Sequence, residues 1–145
     1  MNNLSLNLLS SADIAGLSTG IIAELTSAQI SKLLPNQVDF LTSLQVNTLN
    51  SQQISVLSTL QTGSLSSLQI AALSNTAIRG LTTAQTGLLN SAQAGALSTG
   101  NIKALSSTQV AALSSVTLTT LSSVQLSLIS PSAFGSITSK QLSAF

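Results

Sequence analysis

Residues 105–113, Leu-Ser-Ser-Thr-Gln-Val-Ala-Ala-Leu, contain the pattern on which the fold depends, because the same eight-residue unit recurs along almost the whole chain. Leucine returns at every eighth position fifteen times in succession. The series comprises Leu9, Leu17, Leu25, Leu33, Leu41, Leu49, Leu57, Leu65, Leu73, Leu81, Leu89, Leu97, Leu105, Leu113 and Leu121, and it continues with Ile129, Ile137 and Phe145. Strict internal repetition is typical of a solenoid, in which each unit packs only on its neighbours. We therefore predict that these leucines form one structural spine.

The other columns of the repeat are nearly as regular when the leucine is taken as position 1. Position 2 is Ser, Thr or Asn in every octad except the one that holds Leu34, and position 5 is Gln in eleven octads. Position 6 is mostly aliphatic, so the consensus is L-[ST]-[ST]-x-Q-[IV]-x-x. The chain is thus read as one solenoid over residues 1–145 with eighteen octads, of which residues 1–8 and 129–145 are atypical ends.

The octad predicts one short helix per repeat. Eight residues at about 100° each overshoot two helical turns by about 80°, so a continuous helix would wind the leucines around its surface. Ser or Thr at position 2 with Gln three residues later forms a capping box, which marks a helix start. Pro35 and Pro131 both occupy position 3, the first helical position, where proline is best tolerated. We expect a helix from position 3 to about position 8, with position 6 and the next leucine buried and smaller residues at positions 4 and 8 between them.

A β-solenoid with one octad per face is the alternative fold. Ile and Val at position 6, abundant Ser and Thr, and stackable Gln side chains favour it. Against it, positions 1 and 6 would lie on opposite sides of a strand, and Ala and Leu form helices better than strands. The all-α solenoid is the favoured prediction.

The composition argues against catalysis and nucleic-acid binding. The chain contains no His, Cys, Tyr or Trp, only 5% charged residues and a net charge of +1. We expect no enzyme activity, no cofactor and no metal site, because no nucleophile–base pair or carboxylate pair is evident. The few cations are scattered, so nucleic acid is not an expected partner. Glu24 and Lys32 share position 8 of adjacent octads and are expected to form at most a surface ion pair.

Polar residues are interspersed regularly along the chain, and this pattern bears on where in the cell the protein is located. No stretch approaches about 18 consecutive apolar residues, so membrane contact is not expected. The N-terminal residues show neither the basic nor the apolar region of a secretory signal. Sequence alone leaves two locations open, the cell surface or exterior reached by a non-Sec route, and the cytoplasm.

The octad at residues 105–112 resembles the L-[ST]-x-x-Q-[IV]-x-A tracts of long repetitive bacterial proteins of surface, adhesin-like or secreted type. This resemblance covers nearly the whole chain and implies a bacterial surface or exported scaffold. Residues 33–38 and 41–46 are also similar to the start of the first helix of TAL-effector repeats. The longer repeat and base-reading residues of that family are missing, so its DNA binding does not carry over.

These observations lead to two hypotheses about function. The first is a structural protein that associates with itself into a filament, fibre or surface assembly, because a near-neutral solenoid has little charge to oppose contact. Phe134 and Phe145 are the candidates for contacts at its end. The alternative is a monomeric adhesion or binding module that uses the solenoid surface to hold carbohydrate, protein or ice.

Overall fold

The computed structural model describes residues 6–145, and all regular secondary structure in that range is helical. A 3-10 helix, Leu6–Leu8, precedes α1 Ser11–Gly16, α2 Thr19–Glu24, α3 Ser27–Ile30, α4 Pro35–Asp39, α5 Ser43–Thr48, α6 Ser51–Ser55, α7 Thr59–Ser64, α8 Ser67–Ala72, α9 Asn75–Ile78, α10 Thr83–Gly87, α11 Ser91–Gly95, α12 Thr99–Ala104, α13 Ser107–Ala112, α14 Ser115–Thr119, α15 Ser123–Leu128, α16 Pro131–Phe134 and α17 Ser139–Leu142. No strand occurs in residues 6–145. The all-α solenoid is confirmed, and the β-solenoid alternative is wrong.

Each α-helix begins at position 3 of its octad, as the capping pattern predicts. In the octad of α5, Thr42 at the N-cap and Leu49 after the helix are both extended, with φ/ψ of −68°/157° and −64°/138°. The Val46 amide donates to the Thr42 carbonyl at 2.9 Å and the Leu49 amide donates to the Val46 carbonyl at 3.2 Å. These bonds open and close a helix of barely two turns. The extended leucine and the N-cap that follows it then redirect the chain.

Helices that are three octads apart stack on one another. Every helix from α4 to α17 packs on the helix three before it, which makes a superhelical turn of three octads. The solenoid therefore has three faces. Face 1 consists of α1, α4, α7, α10, α13 and α16; face 2 consists of α2, α5, α8, α11, α14 and α17; face 3 consists of α3, α6, α9, α12 and α15.

The interior is filled by positions 1 and 6. Thirteen leucines of the predicted spine, from Leu25 to Leu121, are buried, whereas Leu9 and Leu17 are partly buried. From α1 to α14 the aliphatic residues of position 6 lie deepest, as Ile54 and Ile70 illustrate, whereas Phe134 and Leu142 at the same position are exposed. Where position 6 is threonine, the hydroxyl bonds inside its own helix, since Thr86 donates to the Thr82 carbonyl at 2.8 Å. The buried threonine hydroxyls of this column are therefore hydrogen-bonded.

Position 4 does not fill the core, contrary to the expectation from sequence. Its residues point to solvent and include exposed leucines, among them Leu44 and Leu68. The reason is geometric, because position 4 precedes position 6 by two residues and lies about 200° away on the helix. A buried position 6 therefore places position 4 on the outer surface.

Replacing Leu34 with threonine is expected to stabilise the protein. Leu34 is the N-cap of α4 and has no side-chain acceptor, although Gln37 Oε1 still accepts the Leu34 amide at 2.7 Å. In Leu34→Thr a hydroxyl completes the capping box, and we expect about 1 kcal/mol of added stability. Urea unfolding followed by far-UV circular dichroism measures it. The reverse change, Thr42→Leu in α5, serves as the control and should destabilise by a similar amount.

Candidate interaction surface

The glutamine at position 5 does two things at once. Gln53 is 1% exposed, and its Oε1 accepts the amide of the N-cap residue Asn50 at 2.9 Å. Its Nε2 donates to the carbonyls of Ile22, at 3.1 Å, and Leu25, at 2.7 Å, in the preceding superhelical turn. One amide group therefore caps its own helix and also donates to two carbonyls at the end of an earlier one, that of Leu25 and that of Ile22, which accepts the Leu25 amide as well.

This arrangement recurs with a fixed separation along the solenoid. In ten octads, Gln Nε2 donates to the carbonyl of the leucine 28 residues earlier. The donors are Gln37, Gln45, Gln53, Gln61, Gln69, Gln85, Gln93, Gln109, Gln125 and Gln141. Asn101 and Thr117 keep the same bond, at 2.8 Å to Leu73 and 3.0 Å to Leu89. We call this series of bonds the glutamine ladder.

Sequence reasoning found the capping role of this column but missed the bond between turns. The sequence does contain a signal for the bond between turns. Glu can complete a capping box as well as Gln can, yet position 5 contains eleven Gln and no Glu. Only the amide supplies N–H donors as well as an acceptor. A column with eleven Gln and no Glu therefore indicates that a donor is needed on the buried side.

Face 2 presents a row of exposed apolar side chains. Position 4 of α5, α8, α11 and α14 holds Leu44, Leu68, Ala92 and Val116, and these helices are stacked neighbours. Leu44 is 74% exposed, Leu68 77% and Val116 68%. The positions beside this row are small, with serine at position 3 of all four helices. We call this surface the apolar row.

At position 4, the other two faces lack such a row. On face 1, Leu60 is 75% exposed, but the stacked neighbours at its position are Asn36 and Ala84. On face 3, position 4 runs through Ala28, Gln52, Thr76, Gly100 and Val124. Leu60 therefore offers a control that matches Leu68 in exposure but does not belong to a continuous row at position 4, although Phe40 and Leu88 are exposed at position 8 of the octads of the stacked helices α4 and α10.

The charged residues are distributed unevenly over the faces. Face 2 has Glu24 in α2 and Lys140 in α17, both exposed, and α5, α8, α11 and α14 between them contain no charge. The remaining cations, Lys32, Arg79 and Lys103, belong to octads of face 3. Glu24 and Lys32, for which the sequence predicts at most a surface ion pair, lie on different faces, because the helices that stack are three octads apart.

The two candidate end-contact phenylalanines lie together. Phe134 and Phe145 are exposed and line one open pocket of about 370 Å³. Leu126, Ser127, Ile137 and Leu142 complete its lining. The structure thus brings Phe134 and Phe145 to a single apolar pocket at the C-terminal turn of the solenoid.

The carboxyl of Asp13 has its pKa lowered, because it accepts hydrogen bonds from the Ser10 hydroxyl, at 2.6 Å, and the Ser10 amide, at 2.9 Å. Because the pKa is lowered in the folded protein, the ionised carboxyl of Asp13 stabilises the fold at a pH above the ordinary pKa of Asp. This stabilisation is lost as the pH falls through the lowered pKa. We expect Ser10→Ala to move the pKa of Asp13 back toward its ordinary value. An NMR titration of the carboxyl carbon checks this, and an unchanged pKa in the variant would contradict the assigned cause.

Two kinds of site are not found in the described part of the chain. No group of three His, Cys, Asp or Glu residues there is placed to hold a metal ion. Over the same residues, no helix has the length and apolar character needed to cross a membrane.

The fold and the ladder together define a three-sided α-solenoid of octapeptide repeats. A family model described as the ALTTAQ repeat matches residues 64–99. That segment contains Leu-Thr-Thr-Ala-Gln at 81–85, which begins with a spine leucine and ends with a ladder glutamine. No curated protein and no solved structure matches the chain. The family match supports a tract of repeats.

Proposed function

We propose that this chain is a structural protein that associates with copies of itself into a filament, fibre or surface assembly. The apolar row of face 2 carries the proposal. Leu44, Leu68 and Val116 leave most of their surface in water, on stacked helices that contain no charged residue. Burying such surface is favourable by about 25 cal/mol per Å², and contiguous apolar patches mark contact sites on soluble proteins.

The near absence of charge supports the same function. With a net charge of +1 and only 5% charged residues, electrostatic repulsion between copies is weak. The solenoid also presents its row with little further loss of backbone freedom on association, since the helices that carry it are already held by the ladder. The proposed location of the assembly, outside the cell or on its surface, rests on the resemblance of the octads to tracts of bacterial surface proteins.

Sedimentation velocity over a wide range of protein concentration, with electron microscopy of the largest species, tests self-association. We expect the mean mass to rise with concentration. Leu68→Ser should raise the dissociation constant at least about tenfold, the effect of removing a central apolar contact. Leu60→Ser, the matched change on face 1, should alter it less than about twofold. Wild-type protein that stays a monomer at every concentration would contradict the proposal.

A monomeric binding module for carbohydrate, protein or ice is the alternative function. It predicts a single sedimenting species whose mass does not change with concentration. The sedimentation experiment therefore separates the two functions before any ligand is known.

A further inference from the structure

We propose that two copies of this chain pair face 2 against face 2 in antiparallel orientation, with a twofold axis between α8 and α11. This inference rests on the proposed self-association and specifies its first contact. The partner is a second copy of the same chain. The order of residues along face 2, the charges of Glu24 and Lys140 and the exposure of the apolar row all favour this arrangement.

The charges of face 2 determine the orientation. Glu24 of α2 lies at one end of the face and Lys140 of α17 at the other, and both are exposed. In a parallel pair each charge would meet its own kind. In an antiparallel pair Glu24 of each copy meets the partner's Lys140, so two opposite-charge pairs form. Such rim pairs add little affinity, but like-charge contacts are penalised, and this fixes the orientation.

The apolar row determines the register. Reversing the order α2, α5, α8, α11, α14, α17 places α5 opposite α14 of the second copy and α8 opposite α11. Leu44 then faces the partner's Val116, and Leu68 faces the partner's Ala92. At the centre a large side chain meets a small one on both sides of the axis, which favours close packing.

The residues beside the row allow the two faces to approach. Position 3 of α5, α8, α11 and α14 is serine, and position 7 holds Asn47, Ala71, Gly95 and Thr119. None of these has a long side chain that would hold the faces apart. A twofold contact of this kind is self-complementary and closed. Growth beyond the dimer therefore needs a second contact, for which the pocket of Phe134 and Phe145 is the candidate.

Charge reversal at the two ends tests the orientation. In Glu24→Lys both ends of face 2 are positive, and in Lys140→Glu both are negative. We expect each variant alone to dimerise at least about tenfold more weakly than wild type at low salt. A mixture of the two variants should form a heterodimer of wild-type strength, and the double variant Glu24→Lys/Lys140→Glu should recover homodimer formation. Arg79→Glu, on face 3, is the matched control and should change nothing.

The outcomes separate this inference from the proposed function. Far-UV circular dichroism should be unchanged in every variant, because Glu24 and Lys140 are exposed. If wild type associates and Leu68→Ser weakens it, but neither charge reversal nor mixing has an effect, the antiparallel register is overturned while self-association stands. If wild type does not associate at all, the proposed function itself fails.

Discussion

Replacing Gln53 with glutamate is expected to destabilise the protein by about 3–5 kcal/mol at pH 8, the usual cost of an unpaired buried charge. The introduced carboxylate can still accept the Asn50 amide. It has no hydrogen to offer the carbonyls of Ile22 and Leu25, which Gln53 Nε2 now contacts at 3.1 Å and 2.7 Å. The change therefore keeps the cap and breaks the ladder. Urea unfolding at fixed pH measures the loss.

The neighbouring residue provides the control. Gln52 lies in the same helix but is exposed, so Gln52→Glu should change the free energy of unfolding by less than about 0.5 kcal/mol. A loss of equal size in both variants would show that negative charge in α6, and not the ladder, is responsible.

The penalty of Gln53→Glu should also depend on pH. Burial beside carbonyl oxygens raises the pKa of the introduced carboxyl above the value of about 4.3 that it has in the unfolded chain. Because the folded state then binds the proton more tightly, the penalty is smallest below about pH 4 and grows as the pH rises. A penalty that is the same at pH 4 and pH 8 would contradict the buried contact.

Replacing Gly80 with alanine is the second change with a large expected effect. A Cβ at Gly80 would lie 2.2 Å from the Ser51 carbonyl oxygen and 2.5 Å from the Ser51 Cα, and backbone cannot move aside as a flexible side chain can. No described glycine has a positive φ, so the obstacle at Gly80 is contact and not backbone conformation. We expect Gly80→Ala to destabilise by about 3 kcal/mol, measured by thermal or urea unfolding.

Replacing Gly63 with alanine is expected to have the opposite effect on the free energy of unfolding. Gly63 lies inside α7, and a Cβ there meets no atom within 4 Å. Gly63→Ala should therefore stabilise by about 0.5–1 kcal/mol through its higher helix propensity. If both alanine variants were destabilised alike, the close approach of α9 to α6 would be contradicted.

The start of every helix was predictable from the sequence because it depends on local chemistry. A polar N-cap, proline or serine next, and glutamine at the third helical position are signals that act within four residues, as at Thr42 and Gln45. The burial of position 6 and of the next leucine followed from helical spacing. These parts of the prediction needed no knowledge of how octads stack.

The number of octads per turn was not predictable, because it depends on contacts between residues far apart in sequence. Gln53 reaches Leu25, and no local pattern names that partner. Without the three-octad turn, Leu44, Leu68, Ala92 and Val116 are only four residues spaced by 24 positions. The row exists because the turn brings α5, α8, α11 and α14 into one stack. The three-octad turn also places Glu24 and Lys32 on different faces, and Glu24 and Lys140 on the same face.

The distance between spin labels two superhelical turns apart tests the three-octad turn most directly. The chain has no cysteine, so the double variant Thr76→Cys/Val124→Cys can be labelled cleanly at exposed position 4 of α9 and α15, away from face 2. Stacked helices lie about 8–10 Å apart, so pulsed electron spin resonance should give a narrow distribution near 20 Å, allowing for the labels. A continuous helix would separate these residues by about 72 Å at 1.5 Å per residue, and a distance beyond about 35 Å would contradict the stacking of every third octad.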